Sequence, residues 1–352
     1  MSPREKSGLQ VLTFQQALAK AGTKKPHVLL GNGFSRACRD DIFRYGSLFS
    51  QARFDFLSEE ARKAFSALGT EDFEIVMGAM RQASKLASVY APNQPALAAS
   101  LSGDADGLRE VLVQTIASSH PSRPSDIEPE RYQACREFLS HFQSIYTVNY
   151  DLLLYWALMQ DELEPKVDSD DGFRQPDAGP EPYVTWQVDN TAKQRIFFLH
   201  GALHVFDAGH QIQKFTWSNT GVALIDQIRG ALESGRYPLF VAESSSDSKL
   251  ARIQHSGFLN RAYRSLASIG GSLFIYGHSM AASDEHLLRL LDRGKFDLLF
   301  VSLFGDSTNP ENTLIVGRAS EIKGRRTPHH PLAVHFFDAA SANVWGPTGG
   351  TD

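Results

Sequence analysis

Short, almost wholly apolar runs punctuate the chain. HVLLG ends at Gly31, SIYTVN covers 144–149, RIFFLHG covers 195–201, PLFVAE covers 238–243, SLFIYG covers 272–277 and DLLFVSLF covers 297–304. None alternates cleanly between polar and apolar positions. That pattern predicts strands covered on both faces, as in a parallel sheet between helical layers. Stretches of helical spacing lie between several of the runs, among them 220–233 and 257–267. Alternating strands and helices predict right-handed crossovers. The expected fold class is therefore α/β: a doubly wound, mostly parallel, Rossmann-like sheet.

The pattern changes between residues 40 and 142, where strand signals almost vanish and helical ones dominate, as at 58–67 and 73–89. This predicts a helical subdomain inserted into a single α/β domain spanning 1–352. Residues 166–182 are acidic and hold three prolines, which predicts a loop. The Gly-rich tail, 345–352, is expected to fray.

Composition narrows the function classes. The 352 residues suffice for one large domain with an insertion, and 42% hydrophobic with 21% charged residues predicts a packed core. A net charge of -5 argues against a protein that coats nucleic acid, so no direct nucleic-acid binding is expected. The two cysteines, Cys38 and Cys135, cannot build a Cys₄ zinc site and are expected to be small buried hydrophobes. The opening MSPREKSGLQ lacks the apolar core of a secretory signal. The longest apolar run, 152–159, falls far short of the ~20 residues a membrane helix needs. A soluble, cytoplasmic protein is expected.

Ligands of open α/β sheets bind at the carboxyl ends of the strands. Four strand ends carry polar residues. Gly31-Asn32-Gly33-Phe34-Ser35 follows HVLL and opens a helical stretch, a turn able to approach a phosphate at a helix N-terminus. The dinucleotide fingerprint wants a third glycine where Arg36 stands. Asn149 and Asp151, in TVNYD, can bond sugar hydroxyls, although Asp151 also suits a helix cap. His200, in His200-Gly201, is a candidate general base, and His204 lies close enough in sequence to be confused with it. Gly277-His278-Ser279, followed by Asp284, is a further turn and also looks like a serine-hydrolase elbow, with Ala281 in place of its last glycine.

Taken in this order, GNGFS, TVNYD, LHG and YGHSMAASDEHL resemble the sirtuin superfamily, and most of all its divergent bacterial sirtuin-like branch, over about 27–290. The stretch PLFVAESSSDSKLARIQHSGFL looks like an uncharacterised subgroup of that branch. Several members of the branch hydrolyse NAD in antiphage defence. The resemblance implies NAD as substrate. It implies that Gly31, Asn32, Gly33 and Ser35 hold the diphosphate, that Asn149 and Asp151 position the ribose and the attacking group, that His200 is catalytic, and that Gly277 and Ser279 contact the adenosine side. Asn32 departs from the small residue usual between the glycines. The four cysteines of the deacylase zinc module are absent, so no zinc is expected and protein deacylation is disfavoured.

The implied reaction is cleavage of the nicotinamide–ribose bond by an NAD glycohydrolase. Activity is expected to need self-assembly into a homo-oligomer or an activating protein partner. Two other classes stay open. A serine hydrolase would use Ser279 with His329, His330 or His335 and with Asp297, Asp306 or Asp338. A non-catalytic sensor would bind the nucleotide without turnover.

Overall fold

The computed structural model describes residues 9–55, 57–176, 179, 181–216, 221–243 and 245–346. Its strands are β1 (Val11–Leu12), β2 (His27–Leu30), β3 (Ser144–Thr147), β4 (Phe173–Arg174), β5 (Tyr183–Trp186), β6 (Ile196–Phe198), β7 (Val205–Asp207), β8 (Ile212–Phe215), β9 (Gly270–Tyr276), β10 (Lys295–Leu303) and β11 (Ala333–Asp338). Seven of them form one sheet in the order β1-β11-β10-β9-β2-β3-β6, and every neighbouring pair is parallel. The expected Rossmann-like α/β fold is what the chain adopts.

Alternate residues of the central strands serve opposite layers. Val28, Leu30, Phe274, Tyr276 and Phe300 join one core, while Leu29, Leu273, Ile275, Leu299 and Val301 join the other. Both faces are thus buried, which is why these strands read as unbroken apolar runs. The helices supplying the layers include α1 (Phe14–Ala21), α2 (Asn32–Phe43), α3 (Tyr45–Gln51), α4 (Glu59–Leu68), α5 (Phe73–Tyr90), α6 (Pro95–Ser119), α7 (Pro129–Ser140), α8 (Leu153–Leu158), α9 (Leu224–Glu233), α10 (Ser246–His255), α11 (Gly257–Ser268), α12 (Glu285–Arg293) and α13 (Pro310–Arg325). Among the described residues, only helices and irregular backbone separate β2 from β3. The start of α5 is fixed by Asp72, whose carboxylate accepts from the backbone N–H of Glu74 and Ile75.

Several elements differ from the sequence reading. The run 238–243 is buried as expected but joins no ladder beyond a single antiparallel bridge between Phe240 and Gly201. Its backbone bonds go to the turn after β6 and to the start of β7: Val241 N–H to the carbonyl of His200, and Leu239 N–H to that of Val205. Burial, not sheet pairing, explains its apolar character. The acidic stretch 166–182 contains β4, which pairs with β5 in a second, antiparallel sheet of order β4-β5-β8-β7. These strands are two to four residues long and partly exposed, too short to signal themselves by periodicity. Of the tail, Trp345 is fully buried and its indole N–H donates to the carbonyl of Phe34 at 2.8 Å, while 347–352 lie outside the described residues. Helix α9 begins at Leu224, and 217–220 also lie outside the described residues. Cys38 and Cys135 are free and buried, and burial pushes the Cys38 thiol up to about 12. Among the described residues, no helix is long and apolar enough to cross a membrane.

Candidate active site

The order of strands reverses at β2. From it the chain steps outward through β3 and β6 on one side, and through β9, β10 and β11 on the other. In such sheets the crevice lies at the carboxyl ends of the two strands flanking the reversal. Here those strands are β2 and β9, and they end in the Gly31 and Gly277 turns. The TVNYD turn ends β3 and His200 follows β6, so all four sequence motifs reach one edge of four adjacent strands.

The two glycine turns press against one another. Gly31 N–H donates to the Tyr276 carbonyl at 2.9 Å, and Gly33 N–H to the Gly277 carbonyl at 2.8 Å. A methyl on Gly33 would come within 2.5 Å of the Gly277 Cα, and Gly277 holds φ at +64°. Glycine is required here by backbone approaching backbone. Gly31 is the N-cap of α2, so Asn32 and Gly33 belong to the first helical turn, and the Asn32 amide donates to the Phe43 carbonyl at 3.1 Å.

Ser35, Asn149 and Asp151 form a closed knot. The Asn149 amide nitrogen donates to the carbonyl of Gly31 at 3.0 Å and to the Ser35 hydroxyl oxygen at 2.9 Å. The Ser35 hydroxyl donates to one oxygen of Asp151, and the Leu153 N–H to the other at 2.9 Å. All three residues are buried, and burial raises the Asp151 carboxyl above its ordinary range. Leu152, not Asp151, is the N-cap of α8, and Asp151 instead stands one residue earlier and accepts from the Leu153 N–H.

His200 stands in a second, charge-bearing cluster. Its Nε2 lies 3.1 Å from Nε2 of His286, in the first turn of α12, and 3.9 Å from Oδ1 of Asp284. His278 Nδ1 accepts from the Met280 N–H at 2.9 Å, which places its proton on Nε2, 3.2 Å from Oδ2 of Asp284. The ammonium of Lys249, on α10, bridges Asp284 at 2.9 Å and Glu74, on α5, at 2.7 Å. Tyr150 donates its hydroxyl to the Val241 carbonyl and lies over His200, ring centroids 6.4 Å apart. His200 is only 2% exposed and Lys249 1%.

Burial holds His200 well below the ordinary histidine range and so keeps it neutral. It also disfavours the charge on Lys249, but the carboxylates of Glu74 and Asp284 outweigh that and raise its pKa. Asp284 resists the same burial through the His278 bond and the Lys249 charge, and stays well below the carboxylate range. Glu74 is pushed up to about 7 by burial, against the pull of Lys249.

The sequence reading singled out His200 and noted Asp284, but did not assign His286, Lys249 or Glu74. His286 sits in the run YGHSMAASDEHL, where a charged Asp-x-His spacing was available as a signal. Lys249 and Glu74 meet across 175 residues, and no local pattern reports that. Ser279 is exposed beside the cluster. His329 and His330 precede β11 and therefore lie at the amino ends of the parallel strands, opposite Ser279. His335 and Asp297 lie within β11 and β10; Asp338 closes β11, and Asp306 follows β10. His204 is a core residue, packed against the rings of Tyr155 and Phe198.

The profile of a protein family described as a domain of unknown function (DUF4917) matches residues 28–345, and the chain belongs to that family. No curated protein matches it.

Proposed function

We propose that this member of the DUF4917 family is a sirtuin-like NAD glycohydrolase that takes NAD across the carboxyl ends of β2, β3, β6 and β9. The observation that carries the reading is convergence. The four motifs that resemble the sirtuin-like pattern are far apart in sequence, yet end on adjacent strands around the reversal of strand order.

Nicotinamide is cationic while bound to ribose, so it departs neutral when the glycosidic bond breaks. Positive charge develops on the ribose, water adds at the same carbon, and one proton must leave that water. His200, kept neutral by burial, has a lone pair to take it. Asn149 commits its amide nitrogen to Gly31 and Ser35, which fixes its side chain and leaves the amide oxygen to orient the ribose or the water. His200 is closed off in this state, so substrate must displace part of its cover. Tyr150, whose ring lies over His200, and His286 of α12 are the side chains packed against it. A closed resting site fits an enzyme that waits for self-assembly or an activating partner.

The test is to incubate the purified full chain with NAD over a wide range of protein concentration and to resolve nicotinamide and ADP-ribose. Turnover should rise with concentration. His200→Ala and Asn149→Ala should each lower it by about 10² to 10⁴-fold. Wild-type turnover in either folded variant would overturn the assignment. Binding of NAD without turnover at any concentration would leave a sensor instead.

A further inference from the structure

We infer that His200, His286 and Asp284 form a binding site for one divalent transition-metal ion. Among the described residues these three offer ligand atoms that all lie within 4.8 Å of one another. The inference does not rest on the NAD reading and competes with it at His200, because a metal on Nε2 takes the one lone pair that a general base would use.

The imidazoles meet nitrogen to nitrogen. His200 Nε2 and His286 Nε2 are 3.1 Å apart, and only one hydrogen fits between them. Two imidazoles that converge on one zinc ion at ~2.0–2.1 Å, with a tetrahedral angle, bring their nitrogens to about 3.4 Å. The pair is thus already spaced for ligation. Asp284 Oδ1 lies 3.9 Å from His200 Nε2 and accepts from the Lys249 ammonium at 2.9 Å, a bond that a metal would displace. His278 Nδ1 accepts from the Met280 N–H, and its Nε2 lies 3.2 Å from the other oxygen of Asp284.

The charge arrangement favours a cation. One ammonium, Lys249, serves two carboxylates, Glu74 and Asp284. A divalent ion on Asp284 lets Lys249 remain with Glu74. Two imidazoles and a carboxylate select zinc, iron(II), cobalt or nickel over magnesium or calcium, which prefer all-oxygen shells. The competing arrangement is a bare hydrogen bond between the imidazoles, which takes up no metal.

The experiment uses the metal-stripped full chain, dialysed against micromolar zinc, with bound metal measured directly and no NAD present. The wild type should retain a single equivalent and melt at a higher temperature in zinc than in chelator. His286→Gln and Asp284→Asn should each weaken uptake by more than about 100-fold, the upper end for loss of an outer-shell partner. His255→Ala, at an exposed histidine on α10, should leave uptake unchanged. Should either variant fail to fold, the visible spectrum of the cobalt(II)-loaded wild type decides. Intense bands of low-coordinate nitrogen and oxygen ligation support the site, and the weak spectrum of the hydrated ion overturns it. No zinc uptake by the wild type, or uptake undiminished in both folded variants, would also overturn it. Failure here leaves NAD turnover untouched, because the readout contains no NAD.

Discussion

Two polar groups stand side by side at the carboxyl edge of the sheet, both buried and built on opposite principles. In the knot of Ser35, Asn149 and Asp151, donors meet acceptors in sequence: amide to hydroxyl, hydroxyl to carboxylate, backbone N–H to the remaining carboxylate oxygen. The cluster around Asp284 gathers two carboxylates, one ammonium and three imidazoles, and leaves Nδ1 of His286 buried without a hydrogen-bond partner. Satisfied networks fix a structure, whereas buried charge that is only partly compensated marks a place prepared for chemistry or for a ligand. The difference teaches that matching a motif and doing its chemistry are separate questions. Ser35, Asn149 and Asp151 have sufficient reason to exist in holding the Gly31 turn to the end of β3. The cluster also ties α5, α10 and the segment before α12 together through Lys249, but does so with buried charge.

The sharpest way to break the comparison is at Lys249. Lys249→Met leaves Glu74 and Asp284 facing each other with no cation, and should cost about 3–5 kcal/mol in denaturant unfolding. A loss below about 1 kcal/mol would mean the cluster is not held by that ammonium. A smaller effect is expected beneath the knot, where His120 accepts from the Leu152 N–H at 3.1 Å and its other nitrogen pairs with the Pro121 carbonyl. Burial lowers its pKa from 6.5 to about 4. The unfolded chain therefore binds its proton first as pH falls. The stability that neutral His120 contributes is complete above pH 6.5 and is lost as pH falls toward 4, at most about 3 kcal/mol. His120→Gln should flatten that part of the acid limb, with other buried histidines keeping the rest; an unchanged stability profile between pH 7 and 4 would refute it. The smallest effect belongs to the knot itself. Ser35→Ala should cost about 1–3 kcal/mol, since it strands one oxygen of Asp151. If the knot is only structural, metal uptake at the neighbouring cluster stays at the wild-type level in this variant.

Much of the architecture was legible because burial on both faces writes itself into unbroken apolar runs. β2, β3 and β6 lie inside predicted runs, β9 and β10 overlap theirs but begin two residues earlier, and α4, α5 and α11 fall within a residue of their predicted limits at each end. The run 238–243 misled for the same reason: its residues are just as buried, but their backbone bonds go to the turn after β6 and to the start of β7. β11 stayed hidden because it lies next to the edge strand β1 and carries partly exposed residues, including His335. His200 was legible as a polar residue ending an apolar run. Lys249 and Glu74 were not, because each looks like an ordinary charged residue on a helix.

The sequence by itself determined which apolar runs are buried, where the central strands lie, where several helices run, and that polar motifs end four strands. Those features follow from local periodicity and from the intolerance of buried backbone for unpaired groups. Only the tertiary structure decided that the strand order reverses at β2, that Gly31 and Gly33 pack on the Gly277 turn, and that Lys249 joins Glu74 to Asp284 over His200. The physical reason is distance along the chain. Pairings such as Lys249 with Asp284, across 35 residues, and with Glu74, across 175, are set by how the layers stack, and stacking leaves no periodic signature in either partner.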